Sequence, residues 1–235
     1  MPKMQIVLLC GGLGTRLKSI SKDIPKSLLK FNGRPFIEYV LKSINRFEPS
    51  SIHLCLGYKN ELYINYIETI KDSYDITYSI EEQDKLLGTG GAIKNAYKYL
   101  DENFIVQYGD TILDFDYKGM YKSHLKSEKM MTMTVLSSDL SNEKPNVKCK
   151  RNLDNSLVCI YDKFNSKLNA NYIDYGAIAF NRKIFGNFNK LNFDLAHIMT
   201  TLCEESKAYF YEVSNPYIEI GTINSYSKAI KILQK

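Results

Sequence analysis

Nine residues near the start of the chain, Leu9-Cys10-Gly11-Gly12-Leu13-Gly14-Thr15-Arg16-Leu17, combine three glycines with one arginine. Glycines let consecutive backbone N–H groups close around an anion without Cβ clashes. A guanidinium meets phosphate oxygens as a planar fork. A second cation, Lys26, follows Pro25 nine residues after Leu17. The chemistry such a set serves is polyphosphate binding. Two better-known glycine loops do not fit: Gly14 is followed by Thr15-Arg16 where a P-loop needs Lys-Ser/Thr, and a dinucleotide fingerprint would need its last glycine at Leu17. A bare strand-to-loop connection would also explain two glycines, so the flanking cations carry the argument.

Positioning these groups requires a strand immediately before them. Gln5 to Cys10 is a continuous apolar run, as for a strand buried on both faces. Ile37, Val40, Leu41, Ile44 and Phe47 recur at helical spacing after Arg34-Pro35, where proline suits a first turn. Ser51–Leu56, Asp75–Ile80 and Phe104–Tyr108 read as further strands. Glu61–Lys71 and the stripe Ala92, Ile93, Ala96, Tyr97, Leu100, opening at Gly88-Thr89-Gly90-Gly91, read as helices. The alternation predicts an α/β, doubly wound, mostly parallel, Rossmann-like sheet with helices on both faces. Loops after the carboxyl ends of such strands are where ligands bind. Beyond Lys118 the pattern loosens into strands at Met130–Leu136, Leu157–Tyr161, Ala177–Phe180 and Ala208–Val213. Polar loops cover Ser137–Pro145 and Asn165–Asn171, and helices fall near Leu195–Glu205 and Asn224–Leu233. We expect one domain over residues 1–235, regular to about 118 and elaborated and mixed over 119–235.

Composition narrows the classes. The chain has 235 residues, of which 44% are hydrophobic and 24% charged, enough to bury a core. No apolar run approaches the roughly 18 residues of a membrane span, and Ile6–Cys10 is too short for a signal-peptide core. A soluble, cytoplasmic protein with no membrane partner is expected. Five cysteines, odd in number and without C-x-x-C, point to reduced, buried thiols rather than a disulfide framework or zinc knuckle. The net charge of +5 is spread over dispersed lysines. The densest basic stretch, Lys148–Arg151, is short and lacks interleaved aromatics, so no nucleic-acid partner is expected. The aromatic content leaves room for a homo-oligomer interface. His53, His124 and His197 carry no motif, and no Ser/His/Asp triad is visible.

The opening segment, followed by Ile24-Pro25-Lys26-Ser27-Leu28 and Gly33-Arg34-Pro35, resembles the signature of the nucleotidylyltransferases that activate sugar 1-phosphates. The resemblance continues through Leu87-Gly88-Thr89-Gly90-Gly91-Ala92, Tyr108-Gly109-Asp110, Tyr161-Asp162-Lys163, Ile173-Asp174-Tyr175-Gly176 and Ile218-Glu219-Ile220-Gly221-Thr222, in order over the whole chain. It is similar above all to the heptose- or mannose-phosphate guanylyltransferase-like branch.

That resemblance implies transfer of a nucleoside monophosphate from an NTP to a phosphorylated small-molecule acceptor, for surface glycan precursors, with release of pyrophosphate. The attacking phosphate has a second pKa of about 6 and is already ionised, so no general base is needed. The difficulty is bringing two polyanions together, which calls for cations and Mg2+. By resemblance, Arg16 sits on the triphosphate and Lys26 nearer the α-phosphate. Leu9, Gly11, Gly12, Gly14, Thr15 and Gly88 frame the nucleotide, with Thr89 capping the helix that follows. Asp110, ending a strand, supplies the first metal carboxylate. Glu219 stands where the family has an aspartate, with Asp114 and Asp116 as competitors. Glu81 or Glu82 reads the base edge; a carboxylate accepts only, which suits guanine N1–H and N2–H2 or cytosine N4–H2. The loop Gln83–Leu87 is longer than in typical sugar enzymes.

The acceptor half departs from the family pattern. Asp162-Lys163 replaces Glu-Lys, Asp174-Tyr175-Gly176 replaces Asn-x-Gly, and Asp194, Leu195, Ala196 and His197 occupy a stretch where a glutamate touches sugar hydroxyls. Lys163, Asp174 and Gly176 are the acceptor-binding candidates, though Lys163 is equally readable as a surface lysine. These departures keep two other readings open: a CTP-dependent enzyme for phosphocholine or a phosphorylated amino acid, and a nucleotide-binding regulatory module without turnover.

Overall fold

A computed structural model describes residues 3–21, 23–82, 85–153, 156–163, 169–186 and 188–233. Part of the expected polar loop at 165–171, and the first two positions of the 83–87 loop, lie outside the described residues. The chain opens with β1 (Gln5–Leu9), α1 (Lys18–Ser21) and a small hairpin, β2 (Lys30–Phe31) and β3 (Arg34–Pro35). The Asn32-Gly33 turn between them has φ angles of 53° and 80°, the pair of positive angles that a two-residue hairpin uses. Next come α2 (Phe36–Asn45), β4 (Ser51–Leu56), α3 (Asn60–Ile70), β5 (Ile76–Ile80), α4 (Gly88–Asn95) and β6 (Asn103–Tyr108). The second half holds β7 (Thr111–Ile112), α5 (Tyr117–Ser127), β8 (Met131–Ser137), β9 (Val147–Arg151), β10 (Leu157–Tyr161) and β11 (Tyr172–Asn181). It ends with α6 (Lys183–Gly186), α7 (Leu195–Glu204), β12 (Ala208–Val213), β13 (Ile218–Glu219) and α8 (Ile223–Leu233).

One mixed sheet of nine strands runs through both halves. Its parallel part, β5-β4-β1-β6, is in register, so that Leu9 lies opposite both Cys55 and Tyr108. The turns leaving β1, β4 and β6 therefore emerge at one edge. β11 pairs antiparallel with β6 and β8, β12 adds parallel to β8, and the β9–β10 hairpin joins β11 at Tyr172. Side-chain alternation divides the core. Ile6, Leu8 and Ile105 enter one apolar cluster with Phe36, Val40 and Ile67; Val7, Phe104 and Val106 enter the other with Ala92, Ile93 and Met199. Both faces are thus covered by helices, which is why the early strands read as unbroken apolar runs.

Several expectations need correction. β9 is a strand where the sequence reading has only a short basic stretch, Lys148–Arg151: Val147 and Cys149 are buried while Lys150 and Arg151 face outward. A helix expected to reach Leu100 stops at Asn95, and Tyr97–Tyr99 tightens into a 3-10 turn. Pro35 ends the β2–β3 hairpin and precedes α2 rather than lying in its first turn. Two of the five thiols are joined: Cys149 and Cys159 lie directly opposite on β9 and β10, with Cα atoms 4.1 Å apart, and form a disulfide. Cross-strand register makes this pair, and cysteine counting cannot see register. Cys10, Cys55 and Cys203 are free. Among the described residues no helix is long and apolar enough to cross a membrane.

Candidate active site

The turn after β1 is held from both sides by its neighbours. Cys10 donates its N–H to Cys55 O (2.9 Å), Gly109 donates to Leu9 O (3.0 Å) and Tyr58 donates to Gly11 O (3.3 Å). Gly57 makes this approach possible, since a Cβ there would lie 2.8 Å from Gly11 O. Gly14 takes a φ of 61°, and its carbonyl accepts from Leu17 N–H at 2.9 Å, with the fully buried Leu17 anchoring the far end.

Below this turn lies a cavity of about 230 Å³. Leu9, Gly11, Gly12, Lys26, Glu81, Gly88, Thr89 and Asp110 all line it, as do Cys10, Ser27, Tyr63, Leu86 and Tyr108. Lys26 Nζ forms an ion pair with Asp110 Oδ2. The Lys26–Leu28 turn is fixed underneath by a buried 2.5 Å hydrogen bond between Ser27 Oγ and Tyr63 OH. Tyr63 and Gly57 escaped the sequence reading, because a tyrosine on an amphipathic helix reads as core and a lone glycine after a strand reads as a turn.

Glu81, not Glu82, faces the cavity. It is 5% exposed, its Oε2 accepts Leu87 N–H at 2.7 Å, and its Oε1 lies 3.0 Å from where a Cβ on Gly11 would be. Burial raises its pKa against that backbone donor. Glu82 is exposed and pairs with Lys85 at 3.0 Å.

Arg16, Thr15 and Gly14 lie beyond the cavity lining. Gly14 backs onto Lys26, a Cβ there being 3.7 Å from Lys26 Cβ. Exposed Arg16 reaches the C-terminal segment, its Nη2 3.6 Å from the Cβ position of Gly221. Glu219 arrives in the same region because β13 pairs with β7, placing it opposite Thr111, and Ile220 N–H donates to Asp110 O at 3.2 Å. Its Oε2 accepts Gly221 N–H at 2.8 Å. Asp110 and Glu219 thus share one edge. Among the described residues there is no cluster of three or more His, Cys, Asp or Glu side chains that could hold a metal. Two hard carboxylates still suit magnesium, which fills its remaining positions with phosphate oxygens and water. Asp114 and Asp116 do not compete: Asp114 pairs with Arg46 at 3.7 Å and is exposed, and Asp116 caps α5 by accepting Gly119 N–H.

Lys163, Asp174 and Gly176 lie outside the cavity lining, towards its β10–β11 end. Lys163 Nζ pairs with Asp194 Oδ2 at 2.9 Å. Asp174 Oδ1 accepts Gly176 N–H at 3.0 Å, and burial pushes its carboxyl pKa up to about 6. Gly176 has a φ of 100°, and a Cβ there would lie 3.8 Å from Tyr108 Cδ2. Ala196 is buried in the core. Thr89 does not cap α4, whose first residue is Gly88. Its hydroxyl donates to Asp194 Oδ1 (3.3 Å) and accepts from Leu195 N–H (2.8 Å). His53 and His124 are bonded inside the fold to Thr77 and Ser79, and to Thr132 and Asn103, respectively.

A family model described as "Nucleotidyl transferase" matches residues 5–235. The D-glycero-alpha-D-manno-heptose 1-phosphate guanylyltransferase of Aneurinibacillus thermoaerophilus is 29% identical over 242 residues, covering 98% of this chain and 99% of that one. The enzyme of the same name from Campylobacter jejuni is 42% identical over 113 residues, so that match spans about half of each protein. The crystal structure of HddC from Yersinia pseudotuberculosis complexed with GMP-PN superposes with a TM-score of 0.74 at 28% identity, covering 97% of this chain and 98% of that one.

Proposed function

The chain belongs to the nucleotidyl transferase family, and from that premise we propose that it transfers GMP from GTP to a sugar 1-phosphate, D-glycero-α-D-manno-heptose 1-phosphate first, releasing pyrophosphate. Both named relatives carry that activity in their names, and the HddC structure is complexed with GMP-PN. The observation that carries the reading is one cavity where the glycine turn, Lys26, Asp110 and a buried Glu81 meet.

In this reading Leu9, Gly11, Gly12 and Gly88 frame the nucleoside, and the Gly11–Thr15 turn presents backbone N–H groups to the triphosphate. Glu81 Oε1 accepts from guanine N1–H and N2–H2, its other oxygen being held by Leu87. An oxygen of the acceptor phosphate bonds to the α-phosphorus as the bond to the β-phosphate oxygen breaks, and the pyrophosphate departs with its electron pair. Lys26 lies over the α-phosphate and Arg16 over the departing pyrophosphate, where charge accumulates. Lys163 grips the acceptor phosphate, while Asp174 and the Gly176 backbone face the sugar. Asp110 and Glu219 would hold a magnesium ion, which would supply charge neutralisation for the polyphosphate.

The test is pyrophosphate release from each of ATP, CTP, GTP, UTP and dTTP with magnesium and a panel of heptose 1-phosphate, mannose 1-phosphate and phosphocholine. GTP with a sugar 1-phosphate is expected to be fastest. Preference for CTP with phosphocholine overturns the substrates, and no release in any combination overturns the enzymatic reading in favour of a binding module.

A further inference from the structure

Asp194 precedes α7 and uses its two carboxylate oxygens for different tasks. Oδ1 does the structural work, accepting Ala196 N–H at 2.9 Å as a helix cap and Thr89 Oγ1 at 3.3 Å. Oδ2 instead meets Lys163 Nζ at 2.9 Å. The segment around Asp194 is stitched to the first turn of α4: Gly90 and Gly91 N–H groups donate to Phe193 O at 3.0 and 3.3 Å, Phe193 N–H donates to Leu87 O at 2.9 Å, and Leu195 N–H donates to Thr89 Oγ1. Leu86, Gly88 and Thr89 line the nucleotide cavity. Asp194 is thus fixed by the nucleotide side and reaches towards the acceptor side.

Lys163 needs such a fixed point. It lies two residues beyond the end of β10, and its side chain is half exposed. A lysine is a flexible point charge that loses rotamer freedom when held still. A helix cap alone would need only one oxygen, and asparagine would serve as well. An ammonium has three N–H donors, so a bond to Asp194 is compatible with a bond to phosphate.

We propose that Asp194 is a positioning residue for the acceptor: it holds the Lys163 ammonium where the acceptor phosphate docks, and through Thr89 it ties that grip to the mouth of the nucleotide cavity. The proposal rests on the reading of Lys163 given under Proposed function. The net lowering of the Asp194 pKa agrees with this: burial raises it, but the Ala196 N–H and Lys163 outweigh burial and keep the carboxylate charged.

The experiment is steady-state kinetics on the full chain with GTP, magnesium and D-glycero-α-D-manno-heptose 1-phosphate, comparing Asp194→Asn, Lys163→Ala and the double variant. Asparagine keeps the Oδ1 cap but turns an amide nitrogen towards the ammonium. We expect the acceptor KM of Asp194→Asn to rise about tenfold while the GTP KM stays within twofold and Tm is unchanged. The double variant should be no worse than Lys163→Ala alone. If Lys163→Ala raises the acceptor KM and Asp194→Asn does not, or if the two effects multiply independently, the positioning proposal is wrong and the reading of Lys163 stands. If Lys163→Ala leaves the acceptor KM unchanged, that reading fails and takes the proposal with it.

Discussion

Lys26 and Asp110 stand 84 positions apart and meet at one side of the cavity. Each motif alone has an ordinary explanation, a lysine beside a proline turn or an aspartate ending a strand. Their contact is what makes a shared role economical. Arg16→Ala should lower kcat at least 100-fold with unchanged Tm, because the side chain is exposed and stabilisation of a leaving pyrophosphate is felt only in the transition state. Lys26→Ala should lower kcat comparably and also lower Tm, because Asp110 loses its ion-pair partner. Single-turnover kinetics and thermal melts measure both, and a normal rate in either variant removes that cation from the chemistry. Glu81→Gln keeps an acceptor for Leu87 N–H but offers an N–H2 group to the base. Its kcat/KM for GTP should fall about 10- to 100-fold, the worth of a hydrogen bond to a charged group, with smaller losses for other NTPs. A uniform loss across NTPs would mean that Glu81 shapes the pocket without reading the base. The sequence singles these residues out because phosphate chemistry restricts residue types so strongly. It could not choose between Glu81 and Glu82, because alternation along β5 is too weak to settle the residue after a strand end. Nor did it assign a role to Asp194, whose partners come from three separate segments.

The elements show where pattern reading works. Strands buried on both faces announce themselves as apolar runs, and β1, β4 and β6 fell within a residue of expectation. β9 escaped because half of it faces water and its outer positions are lysine and arginine. α5 is absent from the sequence expectation, since its stripe of Tyr117, Met120, Tyr121 and His124 ends on a histidine and Gly119 weakens the helix, although Asp116 caps it. The glycines of α4 have a packing cause that motif reading does not reveal. A Cβ on Gly88 would lie 2.7 Å from Phe193 O, one on Gly90 would enter the Phe193 ring, and one on Gly91 would collide with Leu191 O. The segment 191–194 can therefore press onto α4 only while these positions stay bare. Gly91→Ala should cost about 1–3 kcal/mol, as overpacking does. Because the obstacle is backbone, the segment carrying Asp194 should shift with it, so a chemical denaturation midpoint well below wild type and a raised acceptor KM should appear together. A normal midpoint would show that the segment yields without cost. The disulfide pins another element, the β9–β10 hairpin that leads into Lys163. It belongs to register, which cysteine spacing does not encode.

At the scale of the whole molecule, the net charge of +5 favours polyanionic ligands, while buried titratable groups set how stability responds to acid. His53 and His124 are buried, and burial lowers both pKa values to about 4. In the unfolded chain each ring takes up its proton from about pH 6.5; in the folded chain it does so only near 4. Across that interval the unfolded state holds more protons, so stability falls as pH is lowered, by about 3 kcal/mol per ring at most. Asp174 acts in the opposite sense. Its carboxyl, raised to about 6 by burial from an ordinary 3.8, holds more protons when folded, so acidification through that range stabilises the fold and ionisation at neutral pH works against it. Two rings outweigh one carboxyl, and Tm should decline steadily between pH 6.5 and 4. Asp174→Asn removes the opposing contribution: Tm should rise at pH 7.5 and the decline towards pH 4.5 should steepen, while acceptor KM worsens if the carboxylate faces the sugar. Such a carboxylate is kept at a cost in stability, as functional groups often are. An unchanged Tm at pH 7.5 would show that water, rather than the fold, surrounds it.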